Sequence, residues 1–206
     1  MSMKTLCVIA GLVMLGTFIQ AEEEGKTKAR IEINGGQKVS LTPVSGPEGG
    51  YLRNFSRGNA KIEDGPDFNL IGETAPLPAD RWVQASFTFV PESDGKVTIY
   101  LKGNFAKAMG NQNPDARWVY YDMVAVEGCD PLQNGDFEEA TSGRPDFWNG
   151  GQDLRYVTSG MKALSGKAMV GVWHNNYCTQ TINVTAGQQV TLTVNVKMGE
   201  VEPAKE

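Results

Sequence analysis

The chain has 206 residues, 40% of them hydrophobic, with 24 Gly, 10 Pro and a formal net charge of −5. An acidic balance without clustered Lys and Arg argues against a nucleic-acid partner, because neutralising phosphates requires such clusters. With His174 the only histidine, no zinc-like cysteine pair and no phosphate-cradling glycine loop, the composition also argues against a hydrolytic triad, a zinc enzyme and a nucleotide enzyme.

Residues 1–21 read as a secretion signal: Lys4, an apolar run from Leu6 to Ile19, then Ala21 before three glutamates. The run is ~14 residues against the ~20 that span a bilayer, and no second apolar stretch follows, so no membrane span is expected. Cleavage after Ala21 removes Lys4, the only charged residue of the segment, and takes the net charge from −5 to −6. The expected location is secreted or periplasmic.

Beyond the signal the pattern alternates with period two. Residues 43–78 are broken by Gly46, Gly49, Gly50, Gly58, Gly65, Pro66 and Pro76, with short strands expected near Tyr51 to Phe55 and Ala60 to Ile62. Val83, Ala85, Phe87 and Phe89, then Val97, Ile99 and Leu101, mark two half-buried strands joined by a turn at 91–95. A polar loop over 103–116 precedes an aromatic strand from Trp118 to Val126. The last strand, with Val190, Leu192, Val194 and Val196 on one face, follows a hairpin-type turn at 185–188, and the tail from 199 is expected to fray. The fold class is therefore all-β, an antiparallel β-sandwich or barrel.

Cleavage leaves Cys129 and Cys178 in a chain bound for an oxidising compartment, which predicts a disulfide; two free thiols are the alternative. A bridge would close a loop of about 50 residues and stabilise by roughly 4 kcal/mol in the chain-entropy account. Asn54-Phe55-Ser56 and Asn183-Val184-Thr185 match the N-glycosylation pattern.

Asn134-Gly135-Asp136-Phe137-Glu138, Pro145 to Trp148, Ser165-Gly166-Lys167, Gln180-Thr181-Ile182 and Gly187 to Lys197 resemble the first half of carbohydrate-binding modules of families 4, 9 and 22. Trp82, Phe87 to Pro91, Val97 to Leu101 and Tyr121-Asp122-Met123-Val124 are similar to their second half, yet lie upstream. The resemblance implies a galactose-binding-like jelly roll, circularly permuted, as one sandwich over 28–198; two units, 28–128 and 130–198, are the alternative. One sandwich is preferred because each half alone has four or five strands and leaves an apolar face uncovered.

The same resemblance implies a structural calcium, with Asp122 and Glu138 as ligands and Asp136 as a third candidate; solvated or hydrogen-bonded carboxylates are the other reading. Paired carboxylates such as Glu138 and Asp122 are also conceivable as a glycosidase acid and base, although their surroundings in the resemblance argue for the metal. For sugar binding, Trp173, Asn175 and Tyr177, with His174 and Asn176 between them, combine flat aromatic faces with amides. Trp148, Gln152, Arg155 and Tyr156 form a second cluster, in which Trp148 also fits a core role. Trp82 and Trp118 read as core or sheet surface. The expected function is a secreted, non-catalytic module that binds a polysaccharide or oligosaccharide. An extracellular structural or protein-interaction sandwich is the alternative, and a small glycosidase the third.

Overall fold

The computed structural model describes residues 27–36, 38–44, 50–54, 68–78, 80–103, 117–151, 154–173 and 176–201. The signal segment, the strand expected near Ala60 to Ile62 and the loop 104–116 lie outside them. Among the described residues there is no helix, and none long and apolar enough to cross a membrane. In chain order the strands are β1 (Arg30–Asn34), β2 (Leu41–Val44), β3 (Gly50–Asn54), β4 (Leu70–Thr74), β5 (Val83–Pro91), β6 (Gly95–Lys102), β7 (Arg117–Glu127), β8 (Ala140–Thr141), β9 (Arg144–Pro145), β10 (Asn149–Gly150), β11 (Arg155–Val157), β12 (Met169–Val172), β13 (Tyr177–Val184) and β14 (Val190–Val201).

Two six-stranded sheets form a β-sandwich. The first runs β10-β13-β6-β1-β4-β3 and the second β11-β12-β7-β14-β5-β2, while β8 and β9 make a separate small hairpin. Every pairing in both sheets is antiparallel. Each sheet mixes strands from before and after residue 128, and β7 lies between β12 and β14. One core joins them: Ile31, Ile33, Phe87 and Phe89 meet Tyr121, Val170, Leu192 and Val194 between the sheets. Burying each such side chain is worth about 1.5–3 kcal/mol, and the alternation that marks these residues in the sequence is what aims them at one another.

Two connections lead from one sheet to the other, and the expected hairpin at 185–188 is one of them. The turns at 91–95 and 185–188 do not close hairpins, because β5 and β14 belong to the second sheet while β6 and β13 belong to the first. Both cross the sandwich, so β6 pairs with β13 and β5 with β14. The last strand also continues to Val201, past the point where fraying was expected.

In β7 the inward set changes parity, from Val119 and Tyr121 to Val124. The cause is a bulge at Met123, a left-handed residue with φ 49°, where the pairing with β14 slips between Thr193 and Asn195. The bulge leaves Trp118, Tyr120 and Asp122 together on the outer side of the second sheet.

Candidate functional site

The outer side of the second sheet is covered by its own chain. Trp118, Tyr120 and Met169 pack with Ala163 into a small second core, which Met161, Val157, Trp82 and Trp173 flank. Tyr120 lies against two bare backbones, and a Cβ placed on Gly171 would stand 2.7 Å from its ring. The Arg155 guanidinium stacks 4.1 Å over Trp118 and donates to the Tyr120 hydroxyl at 3.1 Å.

Two carboxylates hold the 161–168 segment in place. Asp122, with no solvent exposure, accepts from the N–H of Met123 (2.7 Å), Leu164 (2.8 Å) and Ser165 (3.0 Å). Glu138 accepts through one oxygen from the N–H of Lys167 (2.7 Å) and Ala168 (2.8 Å). Burial raises the Asp122 pKa; the three N–H groups pull it down, and the charge of Glu138 pushes it up again. Asp136 is exposed and reaches only the Glu138 N–H, at 3.5 Å.

The fit to calcium is poor. The ion takes six to eight oxygen ligands, whereas the 164–168 turn presents four N–H groups to these carboxylates. Among the described residues no three His, Cys, Asp or Glu side chains converge as a metal site. The same contacts count against Asp122 as a glycosidase acid, since it has no solvent exposure and both its oxygens are engaged.

The aromatic residues singled out in the sequence are not one surface. Trp173 packs on Trp118, with ring centroids 5.7 Å apart, outside the second sheet. Tyr177 begins β13 in the first sheet and lies outside that one. The connection from Trp173 to Tyr177 crosses the sandwich, so the two rings stand on opposite faces. Asn175 and His174 lie outside the described residues.

Trp148 is in the main core, 5.1 Å from Phe137, and its indole N–H donates to the Asn134 carbonyl at 2.9 Å. Tyr156 is half-buried, and its hydroxyl donates to the Phe137 carbonyl at 3.0 Å. Trp148 therefore offers no free ring face. Trp148 anchors the turn, which is the alternative role its motif allowed.

The expected disulfide is absent. Cys178 is fully buried among core residues, and burial pushes its thiol pKa far up. Cys129 follows β7, and its thiol donates to the Asp130 carbonyl at 3.4 Å. Asp130 in turn accepts from the Asn183 amide at 3.0 Å, at the far end of β13. Asn183 stands five residues along the strand from Cys178, roughly 17 Å at about 3.4 Å per residue, while a bridge needs Cα atoms within about 7 Å.

Tyr177 instead meets a residue that the sequence did not point to. Its ring packs edge-on against Tyr100 of β6, centroids 5.8 Å apart and planes at 71°, and it remains 39% exposed. Along the same two strands Thr98 and Thr181 pair through their hydroxyls at 2.9 Å. Beside Tyr100 the nearly buried Glu32 binds Arg30 at 2.9 Å and Lys102 at 3.3 Å. Further across, Glu73 accepts from the Tyr51 hydroxyl (2.8 Å) and from Arg53 (2.7 Å). Burial raises the Tyr100 pKa, with Tyr177 and Glu32 adding to it.

Polar alternation in 96–102 placed Tyr100 on an outer face. Only the β6–β13 register, which sets Thr179 opposite Tyr100 and Tyr177 opposite Lys102, brings the two tyrosines together. No known protein family, curated protein or solved structure matches this chain.

Proposed function

We propose that this is a secreted, non-catalytic carbohydrate-binding protein whose glycan surface is the outer face of the first sheet, centred on Tyr177 and Tyr100. The observation that carries the reading is an exposed tyrosine ring supported edge-on by a second ring and bordered by hydroxyl and charged groups. A pyranose presents one apolar C–H face, which stacks on an aromatic ring, and a rim of hydroxyls, which needs donors and acceptors at the ring's edge. Tyr177 supplies the first, and Thr98, Thr181 and Lys102 supply the second. The outer face of the opposite sheet is less suited, because its rings are consumed by the 161–168 segment and by Arg155.

The test is isothermal titration of the protein lacking residues 1–21 with a panel of soluble polysaccharides and their oligosaccharides, alongside Tyr177→Ala and Trp173→Ala. Saturable heat that falls at least tenfold in affinity in Tyr177→Ala and stays in Trp173→Ala supports the surface. Silence across the panel from a folded protein rejects sugar binding in favour of an extracellular protein-interaction or scaffolding sandwich.

A further inference from the structure

At the end of β13 remote from Tyr177, the chain builds a cleft of about 310 Å³ where the 128–133 segment passes beside β10 and β13. It is lined by the apolar residues Phe147, Pro131 and Ile182 and by the polar residues Asp130, Gln133 and Asn149. We propose that this cleft is a second ligand site, binding one neutral sugar unit stacked on Phe147.

The strongest observation is Phe147 itself. It is 55% exposed and holds φ at 68°, the left-handed region that a residue with a Cβ avoids. Both of its neighbours are anchored. The Asp146 carbonyl accepts from the Asn134 amide at 2.9 Å, and Trp148 is locked in the core with its N–H on the Asn134 carbonyl. Between these two anchored residues Phe147 stays exposed and lines the cleft. Strain of this kind persists only where the surroundings impose it, and such residues gather at ligand sites.

The rest of the cleft is equally fixed. Gln180, buried beneath it, accepts from the Gln133 N–H at 2.7 Å and donates to the Gln133 carbonyl at 2.9 Å, so the passing segment is bound to β13 at both backbone groups. Asp130 is held by the Asn183 amide at 3.0 Å.

The lining chemistry selects the ligand class. Among the described residues no Lys, Arg or His lines the cleft, so none of them neutralises an anion there. One aromatic face with amides and a carboxylate around it matches an uncharged polyol ring. The sugar class rests on the carbohydrate-binding reading, but the location does not rest on Tyr177, which does not line the cleft and stands three residues along β13 from Gln180, the nearest lining residue on that strand, about 10 Å at ~3.4 Å per residue.

The experiment follows backbone amide shifts of the ¹⁵N-labelled protein titrated with millimolar cellobiose, xylobiose, mannobiose, maltose and lactose. With at least one of these sugars the amides of Asp130, Gln133, Ile182 and Asn183 should move saturably. The movement should vanish in Phe147→Gly, which deletes the ring while suiting the backbone, and should persist in Tyr177→Ala. Shifts only around Tyr100 and Thr179 would overturn the cleft while leaving the Tyr177 surface standing; shifts only at the cleft would do the reverse. Movement at neither place, or cleft shifts that survive Phe147→Gly, would also overturn it.

Discussion

Phe147 allows the strain argument to be measured directly by comparing Phe147→Ala with Phe147→Gly. Both delete the ring, which is 55% exposed. Somewhat under half of a side chain that presents roughly 150–250 Å² is therefore buried, about 90 Å², worth about 2 kcal/mol at ~25 cal/mol per Å². Phe147→Ala should lose about that much. In Phe147→Gly the left-handed penalty of about 1–2 kcal/mol disappears, offset by the greater chain entropy of glycine, about 0.5–1 kcal/mol. Glycine should thus exceed alanine by about 0.5–1 kcal/mol, the reverse of their order at an ordinary strand position. Urea unfolding followed by tryptophan fluorescence reads this as a higher midpoint for the glycine variant at equal m-value. An alanine variant as stable as the glycine variant, or more so, would show that Phe147 is not held left-handed in solution.

Four other predictions rest on the packing. The denatured, unreduced protein should titrate two thiols; Cys178→Ser should cost about 1–3 kcal/mol by placing an unpartnered hydroxyl between the sheets, while the half-exposed Cys129→Ser should stay within about 0.5 kcal/mol, and a count of zero thiols would refute the separation of the two cysteines. Asp122→Ala should cost about 2–4 kcal/mol through three lost charge-assisted acceptors, and neither calcium nor a chelator should move the melting temperature; a calcium-dependent rise would show that the 164–168 turn rearranges to offer carbonyls. Because the folded Asp122 carboxyl keeps its proton above the ordinary value of 3.8, its titration should lower stability as pH rises from about 3.8 through the raised value, and Asp122→Asn should flatten that part of the stability–pH curve. Gly171→Ala should cost about 1–3 kcal/mol by overlapping the Tyr120 ring, and the penalty should shrink in a Tyr120→Ala background, which a double-mutant cycle measures.

The alternation of Val97, Ile99 and Leu101, and of Val190 through Val196, was enough to establish an all-β chain and to say which side chains face inward, because a strand has only two faces and one must leave water. The same alternation says nothing about which strand lies alongside. The turn at 185–188 reads as a hairpin, yet it and the turn at 91–95 each carry the chain across to the other sheet, since a short link reverses direction equally well within a sheet or between two.

The site depended on that missing information. Trp173 and Tyr177 are four positions apart in sequence and on opposite sides of the sandwich, whereas Tyr100 and Tyr177 are 77 positions apart and in ring contact. Asp122 and Glu138 were legible as paired acids, but not as acceptors for the 164–168 turn, because backbone N–H groups have no signature in a sequence. Phe147 carried no signal at all: a phenylalanine among Pro145, Asp146 and Trp148 reads as core, yet it stays exposed between two anchored neighbours. Residue type and period determined the class of fold and the composition of its faces. Cross-strand register and the bonds around each turn, which are long-range and cooperative, decided which of those residues meet.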